Sequence, residues 1–311
     1  MSEEQGERGG LGQAIYLFCL ARAHALPDAA DAARLCADAV EGRPSLFLWR
    51  REAIVAICNR APLDEFCGPQ AEARLADLAW VGPRARIHAE VIMSVMRQSP
   101  VFPVRFGTLF SSLGRLEKLM EKRRNEILRF FDHVEAREEW AVKGWIQKRK
   151  IQAMLRAQAP AARGLPPATP GAPAASPGVR YFDQQRQHWA AQEEINLWVK
   201  AIGKDFAADL AGHSSDFRNR PVQAGANRDD RGDMMSNWAF LVPRARQALF
   251  QERIQAANAV HGPQGVCFEC SGPWPPYSFV PSLEADPGIP KGYLDHASPG
   301  EPASVPALRR L

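Results

Sequence analysis

The chain has 311 residues, 46% hydrophobic and 24% charged, with 39 Lys+Arg against 35 Asp+Glu for a formal charge of +4. That length is about two domains' worth. The balance is far from the concentrated basic stripe of a nucleic-acid binder, and no stretch approaches the roughly 18 apolar residues of a membrane span, so neither nucleic acid nor membrane is expected as a partner.

The opening residues Met1 to Glu7 are acidic, unlike the basic start of a signal peptide, so a cytoplasmic location is expected. Ile15 to Leu20 is a short apolar run bounded by Gly12 and Pro27, which reads as a buried strand. Residues 28–40 are alanine-rich with early aspartates, a helix. Strands are expected at Leu46 to Arg50 and Ala53 to Cys58, turning at Arg51-Glu52. A helix from Gln70 to Trp80 should break at Gly82-Pro83, with a second from Arg84 to Arg97. Residues 101–106 read as a strand, and Pro103 places it at a sheet edge or a bulge. Residues 113–134 form an amphipathic helix through Leu116, Met120, Ile127 and Phe131. Glu138 to Trp145 returns as a strand.

From Ala159 to Gly178 the sequence is mainly Pro, Ala and Gly, a linker or loop without the apolar residues to build a core. A helix then spans Tyr181 to about Ala211. Strands follow at Phe217 to Val222 and Trp238 to Val242, with a polar loop over 225–233 between them. A helix at Arg244 to Val260 stops at Gly262-Pro263, and a strand runs from Val266 to Ser271. The tail after Pro281 is poorly patterned. The fold expected is α+β, with two domains at 1–158 and 179–281. Each is an antiparallel sheet packed on helices, ferredoxin-like, joined across the linker at 159–178 and followed by a loose tail at 282–311.

Patterns for chemistry are sparse. Cys19, Cys36, Cys58, Cys67, Cys267 and Cys270 read as reduced, small apolar packers. Cys267 and Cys270 form a Cys-x-x-Cys pair, but on a strand they point to opposite faces, and a structural zinc needs four ligands. The seven histidines are scattered and read as solvated or core residues. Phosphate loops and nucleophile elbows are absent, so no catalytic residue, cofactor or metal is expected. An uncharacterised enzyme on a ferredoxin-like fold and a small-ligand regulatory module are the alternatives to a protein-binding role.

Two short rigid segments stand out: Pro103, Arg105, Phe106 and Gly107 within Pro-Val-Arg-Phe-Gly-Thr, and Gly272, Pro273, Trp274, Pro275, Pro276 and Tyr277 within Gly-Pro-Trp-Pro-Pro-Tyr-Ser-Phe. Segments with fixed backbone and large rings lose little entropy on docking, so both are candidate partner contacts; the plainer alternatives are that Trp274 and Tyr277 plug a sheet end and that Arg105 pairs with a carboxylate inside its own domain. With Tyr16-Leu17-Phe18, Trp140 to Gly144 and Asn237 to Val242, in this order over roughly residues 14–280, they make the chain resemble the gas vesicle F/L protein family (GvpF/GvpL). The resemblance implies two α+β domains and a non-enzymatic role as an assembly factor or minor structural protein. Its implied partners are the small apolar shell protein and other gas vesicle accessory proteins, and its implied location is the gas vesicle.

Overall fold

The computed structural model describes residues 12–26, 45–68, 70–158, 177–222 and 232–281. The expected helix at 28–40, nearly all of the segment 159–178 and the tail at 282–311 lie outside the described residues. The chain divides into two compact units, one formed by Met1–Glu139 with Trp274–Leu311 and the other by Trp140–Pro273.

The first unit contains β1 (Gln13–Arg22), β2 (Phe47–Arg51), β3 (Ile54–Pro62), β4 (Val101–Pro103) and β5 (Leu109–Phe110). Their order is β2-β3-β1-β4, with β5 also paired to β1, and the pairings are antiparallel. Read from the fourth strand, this is the 4-1-3-2 order of a ferredoxin-like sheet. The β2–β3 hairpin turns on Glu52-Ala53, one residue later than the sequence reading placed it, with Glu52 at φ +48°.

Helices α1 (Leu63–Phe66), α2 (Ala71–Ala76) and α3 (Leu78–Met96) connect β3 to β4. The break expected at Gly82-Pro83 does not occur, and Pro83 lies inside α3. Asp77 caps the helix start by accepting from the Ala79 N–H at 2.9 Å. Pro83 withdraws one helical donor, but the Arg84 guanidinium donates to the Trp80 carbonyl at 3.2 Å and lies over the Trp80 ring at 4.1 Å.

Val91, Ile92 and Val95 of α3 pack on Tyr16, Phe18, Val55 and Ile57. On the other face, Phe102 of β4 meets Phe130 edge-on at 4.9 Å. Phe130 belongs to α5 (Arg124–Val134), which follows α4 (Leu113–Lys122). The single helix expected over 113–134 is therefore two, broken at Arg123 (φ −104°, ψ 10°). With helices on both faces, β1 is buried on both, and this is why it reads as an unbroken apolar run instead of an alternating one.

The second unit follows the same plan with β6 (Arg137–Ile146), α6 (Lys148–Gln158), α7 (Pro177–Gly212), β7 (Asp216–Asn219), β8 (Asp233–Pro243), α8 (Gln247–His261) and β9 (Val266–Trp274). The sheet order is β7-β8-β6-β9, again 4-1-3-2. Helix α6 falls in a stretch the sequence reading left unassigned.

The expected boundary at 159–178 is displaced. Residues from Trp140 onward belong to the second unit because Trp140, Val142 and Ile146 join the core of Val199, Phe240 and Phe268. Gly144 is required on β6, since a Cβ there would lie 2.4 Å from Ser236 Oγ and 2.9 Å from Met235 Cγ. The rings Phe206 and Phe268 sit 4.2 Å apart at the centre of that core.

Candidate functional site

The first rigid segment is not one strand. Residues of β4 pair with Cys19 to Ala21 and residues of β5 with Ile15 and Tyr16. Between them the chain lifts off β1 as an arch, anchored where the Val104 N–H donates to Phe18 O (3.3 Å) and the Leu17 N–H to Thr108 O (3.0 Å). At the top, the Thr108 hydroxyl donates to Arg105 O at 2.7 Å. Gly107 sits at φ +80°, a conformation that glycine adopts without the penalty other residues incur.

A buried polar chain holds the arch from beneath. His88 Nε2 lies 3.0 Å from the Val104 carbonyl, which can only accept, so Nε2 carries the proton. Nδ1 then accepts from the Tyr16 hydroxyl at 2.8 Å, and the Tyr16 oxygen accepts from the Gly107 N–H at 3.2 Å. Every member is satisfied with no charge, so burial is tolerated. Burial pushes the His88 pKa down to about 4 from 6.5, only partly opposed by the bond to Val104. The Tyr16 hydroxyl is pushed up by burial, which the Gly107 bond partly offsets. Phe66 and Phe106 pack around Tyr16 at 5.5 and 6.2 Å.

Pro103 and Gly107 are therefore buried, Phe106 is half-buried and Arg105 is exposed. At the tip, Arg105 is exposed and Phe106 half-buried. Pro103 lies in an outer strand of its sheet, the edge position its lack of an N–H demands.

The second segment begins in β9 with Gly272 at φ +147° and a cis Gly272-Pro273 bond. Gly272 is exposed, Pro273 and Trp274 are half-buried, and Pro275 and Pro276 are buried. Tyr277 packs against the core of Tyr16 and Phe18, and Phe279 is buried beyond it. The Tyr277 and Phe279 N–H groups donate to Pro275 O at 2.7 Å and Pro276 O at 3.1 Å. Glu139, itself buried, accepts from the Ser278 N–H at 2.8 Å and the Ser278 hydroxyl at 2.9 Å. This segment is fastened at three successive residues.

The fastening residues, His88 and Glu139, were not singled out from sequence as a site. His88 is a core histidine, one of the two roles expected for it. Glu139 carried no distinguishing signal, since it follows Arg137 and Glu138 in a strand that also holds Lys143.

Other chemistry-bearing residues are dispersed. Cys267 is exposed and Cys270 half-buried, with the Cys270 thiol pushed up to about 12 by burial. Among the described residues no three His, Cys, Asp or Glu side chains are placed to share a metal, and no helix is long and apolar enough to cross a membrane. A groove of about 340 Å³ between α7 and α8 is lined by Ile202, Phe206, Ala257 and Val260. Its Asp209 and Arg253 are engaged with each other through two bonds of 2.9 Å.

Residues 14–281 match the family described as "Gas vesicle synthesis protein GvpL/GvpF". A similar curated protein is gas vesicle protein L of Streptomyces sp. (strain CB03234), 27% identical over 258 residues covering 80% of this chain and 88% of that protein. Among solved structures, the gas vesicle protein GvpF of Anabaena sp. PCC7120 superposes with a TM-score of 0.59 at 13% identity, covering 88% of this chain and 98% of that one. GvpF of Microcystis aeruginosa gives 0.57 at 15% identity, with 86% and 99% covered. At those identities the two structures speak for the fold alone.

Proposed function

The chain belongs to the GvpL/GvpF family of gas vesicle proteins, and from that premise we propose that it is a cytoplasmic, non-enzymatic assembly factor or minor structural protein that binds the small apolar shell protein and other accessory gas vesicle proteins. The contact we assign is the arch at Pro103 to Gly107.

One observation carries the assignment. A cation and an aromatic edge, Arg105 and Phe106, stand at a broken sheet edge on a base that Tyr16 and His88 hold rigid. A preorganised tip keeps most of its contact energy on binding. Arg105 can engage a carboxylate of the partner while Phe106 meets its apolar surface. The second segment fits a structural role better, because Pro275, Pro276 and Phe279 are buried within the protein itself.

The test of the overall role is vesicle formation in cells that carry the rest of the vesicle genes and lack this chain. Loss of vesicles, or a strong reduction, is expected, with recovery on re-expression. Full vesicle formation without the chain would overturn the assembly reading.

A further inference from the structure

Helix α7 is about 54 Å long at 1.5 Å per residue. Among its described residues, Ile195, Val199, Phe206 and Leu210 are buried in the core of its unit. Leu197, on the opposite side, is 64% exposed, and Trp189, about 80° around the helix from it, is 73% exposed.

The charges around Leu197 are arranged to complement themselves. Glu193 precedes it by about 6 Å and Lys200 follows it by about 4.5 Å, and at 100° per residue both lie on the same flank of the helix. Both are exposed. Trp189 and Lys204 lie further out on that flank, one on each side of Leu197. A two-fold axis through Leu197, perpendicular to α7, brings Glu193 beside Lys200 of a second copy, twice. It also brings each Trp189 ring over the other copy's Lys204 ammonium. A parallel pairing would instead oppose like charges at both positions.

We propose that this face of α7 is a self-association surface, on which two copies of the chain pair antiparallel about Leu197. The surface is isologous, each residue meeting its complement by symmetry. It is separate from the arch and does not depend on the assembly reading.

Sedimentation and light scattering on the full chain over a concentration series test it. A concentration-dependent dimer is expected, and Leu197→Lys should be monomeric with an unchanged circular dichroism spectrum. Glu193→Lys alone should raise the dimer Kd roughly tenfold, by turning two attractive pairs repulsive. Adding Lys200→Glu should restore it, an outcome that a merely structural role for either residue does not produce. A wild-type chain monomeric throughout, a dimer undiminished in Leu197→Lys, or a folded double variant that fails to recover would each overturn the proposal.

Discussion

In both units a polar side chain from the helix before the fourth strand ties down the backbone of that strand or its extension. In the first unit it is His88 of α3, bonded to the Val104 carbonyl just past β4. In the second it is Asn258 of α8, whose amide accepts from the Phe268 N–H at 2.7 Å and donates to the Phe268 carbonyl at 2.8 Å. The topology and the tactic are shared, but one tie titrates and the other does not. Both ties sit among rings, Phe18 and Phe106 beside His88 and Trp238 beside Phe268, but around His88 the core holds a further polar link, Tyr16. The same sheet order is therefore closed in one unit by a buried network that fixes an arch, and in the other, among the described residues, by ring packing with one amide tie.

The largest effect expected from breaking this contrast is in the second unit. Phe268→Ala should cost about 4 kcal/mol, read as accelerated amide exchange confined to residues of that unit. Next comes acid. His88 titrates near 4 when folded and 6.5 when unfolded, so the unfolded chain takes up the proton first. The stability from His88 is complete above about pH 6.5 and is lost as pH falls toward 4. The loss amounts to about 3 kcal/mol and should appear in exchange rates of the first unit only. In His88→Phe that pH dependence should vanish, although the variant is less stable at every pH.

Smaller again is Asn258→Ala. It leaves the Phe268 backbone groups without their partner and should cost about 1–2 kcal/mol, with no change between pH 6.5 and 4. A pH-dependent loss in the second unit, or none in the first, would break the comparison.

Much of the architecture was legible in the sequence. The run Ile15 to Leu20, the edge proline Pro103 and the stripe from Leu116 to Phe131 each follow from one local rule. Pro83 lies inside α3, where the local rule placed a break. Other departures depended on distant partners. The strand expected over 101–106 is cut into β4 and an arch because Tyr16 and His88, far away in sequence, draw Val104 and Gly107 onto themselves. The boundary between units was sought at a change of composition. It falls instead within strands, at Glu139 and Pro273, where no local signal marks it. Both rigid segments were found as motifs, but only side-chain placement distinguishes an exposed Arg105 from a buried Pro275.

The docking tip proposed for the shell protein is the arch. Its most direct measurement is capture of co-expressed shell protein by the wild-type chain, Arg105→Glu and Trp274→Ala, each first shown to retain its circular dichroism spectrum and melting temperature. The account predicts that Arg105→Glu loses most of the captured shell protein while Trp274→Ala keeps it. Capture by Arg105→Glu at the wild-type yield would contradict it.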